Sequence, residues 1–381
     1  MGFLQNVKWK HYINYIVISI LGIIFTVMTL TDSFSSPLAV IMLEKILIAV
    51  LLSVSLSMVV GFLGELSLGH AGFMCVGAYL GGKASVLLEP MFGNSFLTLF
   101  ISIAIGGILA AVCGVIIGLP ALRLRGDYLA IVTLAFGEIV RSLFMNSSRE
   151  SFGGSLGLST PRFDKKYLFI VGFVMVLICL AVIQNIIRSK HGRAITAIRD
   201  SEIAARATGI NVTKYKLIVF TVSAFFAGIA GVLYSYSNIN VQSTNFSYNY
   251  SIEILVMVVL GGMGSINGSI IAAVLITYLD IQLQTILTGN LAVLQNFIYA
   301  IILILIVIYN NAPGLKNFRN RFNLKNLLAK IVKPVNRPSK DRDDEARWHR
   351  VPTKIEIDET LSVKVQRDII SPDFKDTKGD K

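Results

Sequence analysis

One stretch of this 381-residue chain carries the side chains of a docking surface. Within residues 188–216, Arg193, Arg199 and Arg206 offer planar, multidentate donors for acidic groups on another protein, and Asp200 and Glu202 supply the opposite charge. Ala204, Ala205 and Ala207 leave a face that a second surface can approach closely, and Gly209 reads as a helix terminator. This is recognition chemistry, not catalysis. A basic loop is also what membrane topology alone produces, so composition leaves both readings open.

Two glycine clusters interrupt apolar sequence. The first contains Gly61, Gly64, Glu65, Ser67, Gly69, His70 and Gly72, the second Gly261, Gly262, Gly264 and Gly268. Backbone that leaves the helix at membrane depth must be buried in protein or line a watery cavity, because lipid offers it no hydrogen-bond partner. Amides exposed there could meet a carboxylate in passing, which makes both clusters candidates for a translocation path. Close helix packing through small residues explains them equally well. Packing is the better account of the dispersed Gly77, Gly81, Gly106, Gly107, Gly228 and Gly231.

Catalysis finds little support. The nearest phosphate-loop string, Gly77 to Ala84, ends in Ala where Ser or Thr must hold magnesium, and it lies in an apolar helix instead of after a strand. Cys75, Cys113 and Cys179 stand far apart in apolar segments without disulfide or metal-ligand spacing. His70, alone between glycines, is not a metal site, and no cofactor is expected. Glu138 and Arg141 share a helical face at i,i+3 and can neutralise one another. Glu44, Lys45, Lys83, Glu253 and Asp280 also fall in or near apolar segments, where a charge costs about 2.5–3.5 kcal/mol and must face protein or a cavity.

The elements that position these residues follow from hydropathy. Charged residues are 15% of the chain, against about 25% in soluble domains. Apolar runs of bilayer-crossing length fall at 13–30, 38–60, 96–119, 167–187, 217–236, 269–287 and 291–309, with weaker ones at 71–88, 128–145 and 252–260. The expected fold is an all-α membrane protein, a polytopic helical bundle of about ten transmembrane segments, with eight as the fallback count. The 252–260 run is short enough to be a broken or re-entrant segment.

The formal net charge of +12 would suit nucleic acid, but the basic residues sit in short loops and a tail beside the spans. Lys8 and Lys10, Arg123 and Arg125, the 188–216 loop and the chain from Lys316 onward share one side when ten spans are drawn. The positive-inside rule makes that side the cytoplasm, with both termini in it, and removes nucleic acid as a partner. Five spans on each side of the 146–166 loop permit halves of opposite orientation, as inverted repeats require. Residues 1–310 then form the transmembrane domain and 311–381 a cytoplasmic tail. A basic amphipathic helix at 315–331 would lie on the anionic inner leaflet of the bilayer. Short period-2 runs around Asp358 and Glu359 form a hairpin, a strand on a partner, or no structure at all.

Several phrases then carry a resemblance. Glu202-Ile-Ala-Ala-Arg-Ala-Thr-Gly209 resembles the coupling loop of ABC importer permeases, whose motif is Glu-Ala-Ala, three residues, Gly. Here Ile203 is interposed and the distal Ile-x-Leu-Pro is absent, as suits the branched-chain amino acid branch. Residues 61–73 resemble that branch's Gly-Gln-x-Ser-Leu-Gly-His segment, 122–138 its Leu-Arg-x-Arg-Gly block, and 261–268 its Gly-Gly-x-Gly turn. Over roughly residues 40–310 the chain resembles LivM-type permeases, with Glu65 and Asp127 departing from the pattern.

The resemblance implies a non-catalytic permease subunit in the bacterial cytoplasmic (inner) membrane that moves branched-chain or other hydrophobic amino acids. Two ATP-binding cassette ATPase subunits would hydrolyse ATP, a second and usually different permease subunit would complete the path, and an extracytoplasmic substrate-binding protein would deliver the solute. The 188–216 loop would dock on an ATPase. A urea or short-amide importer fits the same resemblance. From other classes come an ion-coupled secondary transporter, with Glu138 and Asp280 as thin support, and a membrane scaffold whose tail recruits partners. Deleting the residues beyond Asn311 is expected to leave solute uptake intact while altering assembly or regulation. Loss of uptake at normal membrane levels would contradict that expectation.

Overall fold

The computed structural model describes residues 37–286 except 94, 122–125 and 162, together with scattered positions in 22–31 and 297–304. The expected spans at 13–30 and 291–309, the Leu122–Arg125 part of one motif, the 315–331 helix and the tail lie wholly or largely outside the described residues. Lipid leaves a spanning backbone no hydrogen-bond partner but itself, so a chain this apolar folds into helices. Seven helices among the described residues are long and apolar enough to cross a membrane, and Tyr248–Gly261 is a shorter apolar one. The chain is a polytopic helical membrane protein.

Helix α1 runs Pro37–Ser57 and continues as a π-helical turn, Met58–Leu63. A non-helical stretch, residues 64–69, follows, and helix resumes as α2 (His70–Val76), a second π-turn (Gly77–Gly81) and α3 (Gly82–Phe92). Next come α4 (Phe96–Ala121), α5 (Asp127–Met145), the single turn α6 (Arg149–Phe152), strand β1 (Leu158–Ser159) and α7 (Lys165–Arg188). The polar connector folds as α8 (Lys190–Asp200) and α9 (Glu202–Ala207). The chain then crosses again as α10 (Val212–Ser237), adds strand β2 (Asn240–Val241), and ends its described part with α11 (Tyr248–Gly261) and α12 (Ile266–Ile286).

At the centre lies α10, which buries Val219, Phe220, Ala224, Ala227 and Ala230 among its neighbours. Water drives nothing together inside a bilayer, so helices associate by close van der Waals packing, and small residues permit it. A Cβ placed on Gly77 would lie 2.1 Å from the Gly228 carbonyl oxygen, and one on Gly231 would lie 2.0 Å from that of Met74. Gly228 in turn meets the Gly106 carbonyl, at 2.7 Å from its would-be Cβ. The dispersed glycines are therefore packing residues, as their spacing predicts.

At the end of the bundle away from the connector, β1 pairs antiparallel with β2, Leu158 opposite Val241 and Ser159 opposite Asn240. The 146–166 loop, expected only to be turn-rich, is thus tied to the segment after α10. Side chains fasten the pair to the helices: Tyr79 Oη donates to the Val241 carbonyl at 2.9 Å, and Thr160 Oγ1 to the Ser235 carbonyl at 2.6 Å.

Gly231→Val should destabilise the fold by about 1–3 kcal/mol, the usual cost of overpacking. It should appear as a lower thermal midpoint of the detergent-solubilised protein, whereas Ile131→Val on an exposed face should leave the midpoint unchanged.

Candidate functional site

The first glycine cluster is a true interruption of helix. Gly64 closes the π-turn in the left-handed region at φ 79°, where a Cβ is strained, and residues 64–69 are non-helical until α2 begins at His70. Protein groups meet part of their backbone and the start of α2, and Glu65 N donates to the Val59 carbonyl at 3.2 Å. Leu68 N donates to Thr133 Oγ1 of α5 at 3.0 Å, and Ala71 N donates to Ser251 Oγ of α11 at 3.1 Å. The buried His70 imidazole pairs through Nε2 with Ser55 Oγ of α1 at 2.8 Å. Ser67 is buried as well, and Gly69 and Gly72 lie against the backbone of α5 at Thr133 and Gly137. Hydroxyls from three helices replace the partners that lipid cannot give.

The second cluster turns out differently. Gly261 and Gly268 face one another across a tight hairpin, a Cβ on Gly268 falling 1.7 Å from the Gly261 carbonyl oxygen. Gly262 and Gly264 make the bend with φ of 93° and 84°. The two clusters meet: a Cβ on Gly61 would stand 2.7 Å from Gly264 N.

The connector closes over this meeting point. Three side-chain caps hold it rigid, each accepting from a backbone amide of the helix that follows: Ser189 from His191 N, Ser201 from Ala204 N and Asn211 from Lys214 N. Arg199 lies across both clusters. Its stem covers Gly64, its Nη1 donates to the Gly61 carbonyl at 3.4 Å and comes near Gly264, and its Nε and Nη2 donate to Asp200 Oδ1 at 3.2 and 3.1 Å.

Beside it, the Lys216 ammonium is sealed from solvent, with its side chain 2% exposed. It donates to Glu65 Oε1 from the first cluster and to Glu202 Oε2 from the connector, the latter at 3.2 Å. Glu202 Oε1 also accepts from Arg206 Nη2 at 2.6 Å. Two acids and two bases thus form a neutral group that joins α9, α10 and the non-helical stretch. Lys216 escaped the sequence reading, which counted it only as the last basic residue of a loop; its place four residues into an apolar helix was the available signal.

Of the expected site residues, Gly61, Gly64, Glu65, Arg199, Glu202, Arg206 and Gly264 come together here. Arg193, Ala204 and Gly209 stand on the exposed surface of the connector, and Ala205 packs inward. Gly209 has φ 83°, with open space where a Cβ would point. Ile203, which sequence comparison treats as an interposed residue, is 73% exposed and gives the connector an apolar knob. Glu138 and Arg141 pair as predicted, Arg141 Nε donating to Glu138 Oε2 at 2.8 Å, and Glu138 Oε1 also accepts from Tyr248 N at the start of α11. Cys75 and Cys179 are buried free thiols and Cys113 is half-buried.

The family model described as "Branched-chain amino acid transport system / permease component" matches residues 38–307. The high-affinity branched-chain amino acid transport system permease protein LivM of Escherichia coli K12 is 39% identical over 60% of this chain, and the match takes in 60% of the relative's length. The probable branched-chain amino acid transport permease protein LivM of Methanocaldococcus jannaschii is 29% identical over 57% of this chain and 73% of the relative. The ribose import permease protein RbsC of E. coli K12 is 25% identical over 61% of this chain and 74% of the relative. No solved structure matches the chain.

Removing one member of a buried ion group strands the charges left behind, at about 3–5 kcal/mol. Lys216→Met should therefore lower the thermal midpoint in detergent sharply, and adding Glu65→Gln should restore part of the loss. Equal midpoints for the single and double variants would deny the pairing.

Proposed function

The chain belongs to the family of branched-chain amino acid transport permease components, and we propose that it is the membrane-embedded permease subunit of a binding-protein-dependent ABC importer for branched-chain or other hydrophobic amino acids. It lies in the bacterial cytoplasmic membrane with its connector and both termini on the cytoplasmic side. About ten spans, arranged as two inverted halves, make up residues 1–310, and residues 311–381 form a cytoplasmic tail. It performs no hydrolysis itself. Two ATP-binding cassette subunits supply the work, a second permease completes the path, and an extracytoplasmic binding protein delivers the solute to the face bearing β1 and β2.

One observation carries this reading. The connector that resembles a coupling loop grips, through Arg199 and Glu202, the two backbone breaks that are candidates for the path. An ATPase that moves α8 and α9 therefore moves Gly61, Gly64, Glu65 and Gly264 with them. Its docking face is the exposed side of the connector: Arg193, Ile203, Ala204 and Gly209 point outward, while Ala205, Ile195 and Ile198 fix the connector to the bundle. The path runs along residues 64–72, with Ser67 and His70 on its buried wall; Gly262 gives the hairpin its bend, and Gly261 and Gly268 let it close.

The loop's two roles, fastening inward and docking outward, separate by mutation. Gly209→Trp has room within this chain and meets only the backbone cost of a left-handed residue, about 1–2 kcal/mol. It should preserve membrane levels yet cut ATP-driven leucine uptake by about tenfold or more, the effect of losing about 1.4 kcal/mol or more of docking energy. Glu202→Lys should uncouple as well, with ATP hydrolysis continuing without uptake. Normal uptake by either variant in membrane vesicles would refute the docking role.

A further inference from the structure

A cavity of about 310 Å³ opens at the end of the bundle opposite the connector, between α1, α10, α11, α12 and the turn at Ser243–Phe246. Its wall carries charges of both signs: Lys45 from α1, Glu253 from α11 and Asp280 from α12. Three ionisable residues around one space, all from apolar helices, call for a functional reason, since each costs free energy to bring into a bilayer. Gln284 Nε2 donates to Asp280 Oδ2 at 2.8 Å, and Asn245 Nδ2 donates to Tyr234 Oη at 2.9 Å, which holds two polar groups of the wall in place. The hydroxyl of Thr277, a residue only 9% exposed, lines the same cavity and has no hydrogen-bond partner among the described residues. An unpaired buried hydroxyl is costly, at about 1–3 kcal/mol, and is relieved by a ligand with a polar group to offer. Ile48, Phe246 and Met257, all nearly sealed from solvent, give the wall an apolar part, and Asn238 and Tyr250 line it as well.

We propose that this cavity is the chain's station for a free amino-acid zwitterion with an aliphatic side chain. Lys45 receives the α-carboxylate, Glu253 and Asp280 receive the α-ammonium, Thr277 adds a hydrogen bond, and Ile48, Phe246 and Met257 surround the side chain. The proposal rests on the importer reading above and deepens it by naming the residues that meet the solute. The volume lies at the lower end of the ~300–1,000 Å³ typical of small-molecule sites, which suits a single amino acid better than a peptide. A sugar has no use for opposed charges, and a bare cation has none for a neighbouring ammonium. Met74, on the cavity wall, sits one helical turn beyond His70, where helix resumes after the interrupted stretch at residues 64–69.

The test uses the complete transporter in proteoliposomes, with its ATPase subunits and binding protein, and reads uptake of leucine and of ribose. Leucine uptake by the parent complex, lowered about tenfold or more by Lys45→Gln and by Glu253→Gln in complexes of unchanged subunit stoichiometry, supports the site. Parent uptake of leucine that both variants keep to within about twofold overturns the site while leaving the importer reading intact. Parent uptake of ribose without leucine overturns both. A second measurement covers variants that fail to assemble. Thr277→Cys in the intact complex is labelled with a small thiol reagent, counted above the label on Cys75, Cys113 and Cys179 of the parent. Slower labelling in leucine, but not in ribose, supports the station, and equal rates in leucine and buffer refute it.

Discussion

An ammonium sealed from water needs its counter-charges brought to it, and Lys216 draws them from two places that the chain's order keeps far apart. Glu65 lies 151 residues before it, in the stretch where helix stops, and Glu202 stands on the short helix of the polar connector. With Arg206 the group is neutral, which is the condition for keeping such charges buried. Its position also decides what is joined to what. Without it, the connector would rest on the bundle through the Arg199 bond to the Gly61 carbonyl and through Ile195, Ile198 and Ala205, an apolar contact that fixes distance better than direction. The ion group adds direction, because an ammonium has few ways to satisfy two carboxylates at once.

The same need for satisfaction governs the interrupted stretch. A non-helical backbone within a bundle, and the helix start that follows it, must find hydrogen-bond partners there, and Thr133 and Ser251 provide them from helices distant in sequence. These residues look unremarkable in the sequence, a Thr and a Ser inside apolar runs. Their meaning comes only from the amides they meet. The helices around them are held by contact between backbones, as the Gly77, Gly106, Gly228 and Gly231 seam makes plain.

Much of this was legible from residue order. Helices of spanning length announce themselves by hydropathy, and the described ones fall within a few residues of the expected positions, α11 being short as its apolar run is. Glu138 and Arg141 pair because i,i+3 spacing leaves them adjacent on any helix. What stayed hidden is what depends on meetings across the fold. The π-turns at Met58–Leu63 and Gly77–Gly81 leave no mark in composition. Lys216 looked like one more topological lysine, and Ile203 like an insertion in a motif. The two glycine clusters read alike in sequence, yet one is a non-helical stretch buried among helices and the other a hairpin bend. The difference lies in which partners arrive, and spacing cannot encode that.

One long helix touches both of these ends. About 28 Å of α10, at 1.5 Å per residue, separates Lys216, near its first turn, from Ser235, whose carbonyl receives the hydroxyl of Thr160. Thr160 follows directly on the two-stranded sheet, and Tyr79 ties that sheet to the second π-turn. A stiff rod anchored at each end by specific bonds, and packed along its middle on glycines that leave no slack, turns a sideways push at one end into a tilt at the other. The two ends of the bundle are thereby joined by leverage, with no chain of intermediate contacts needed between them.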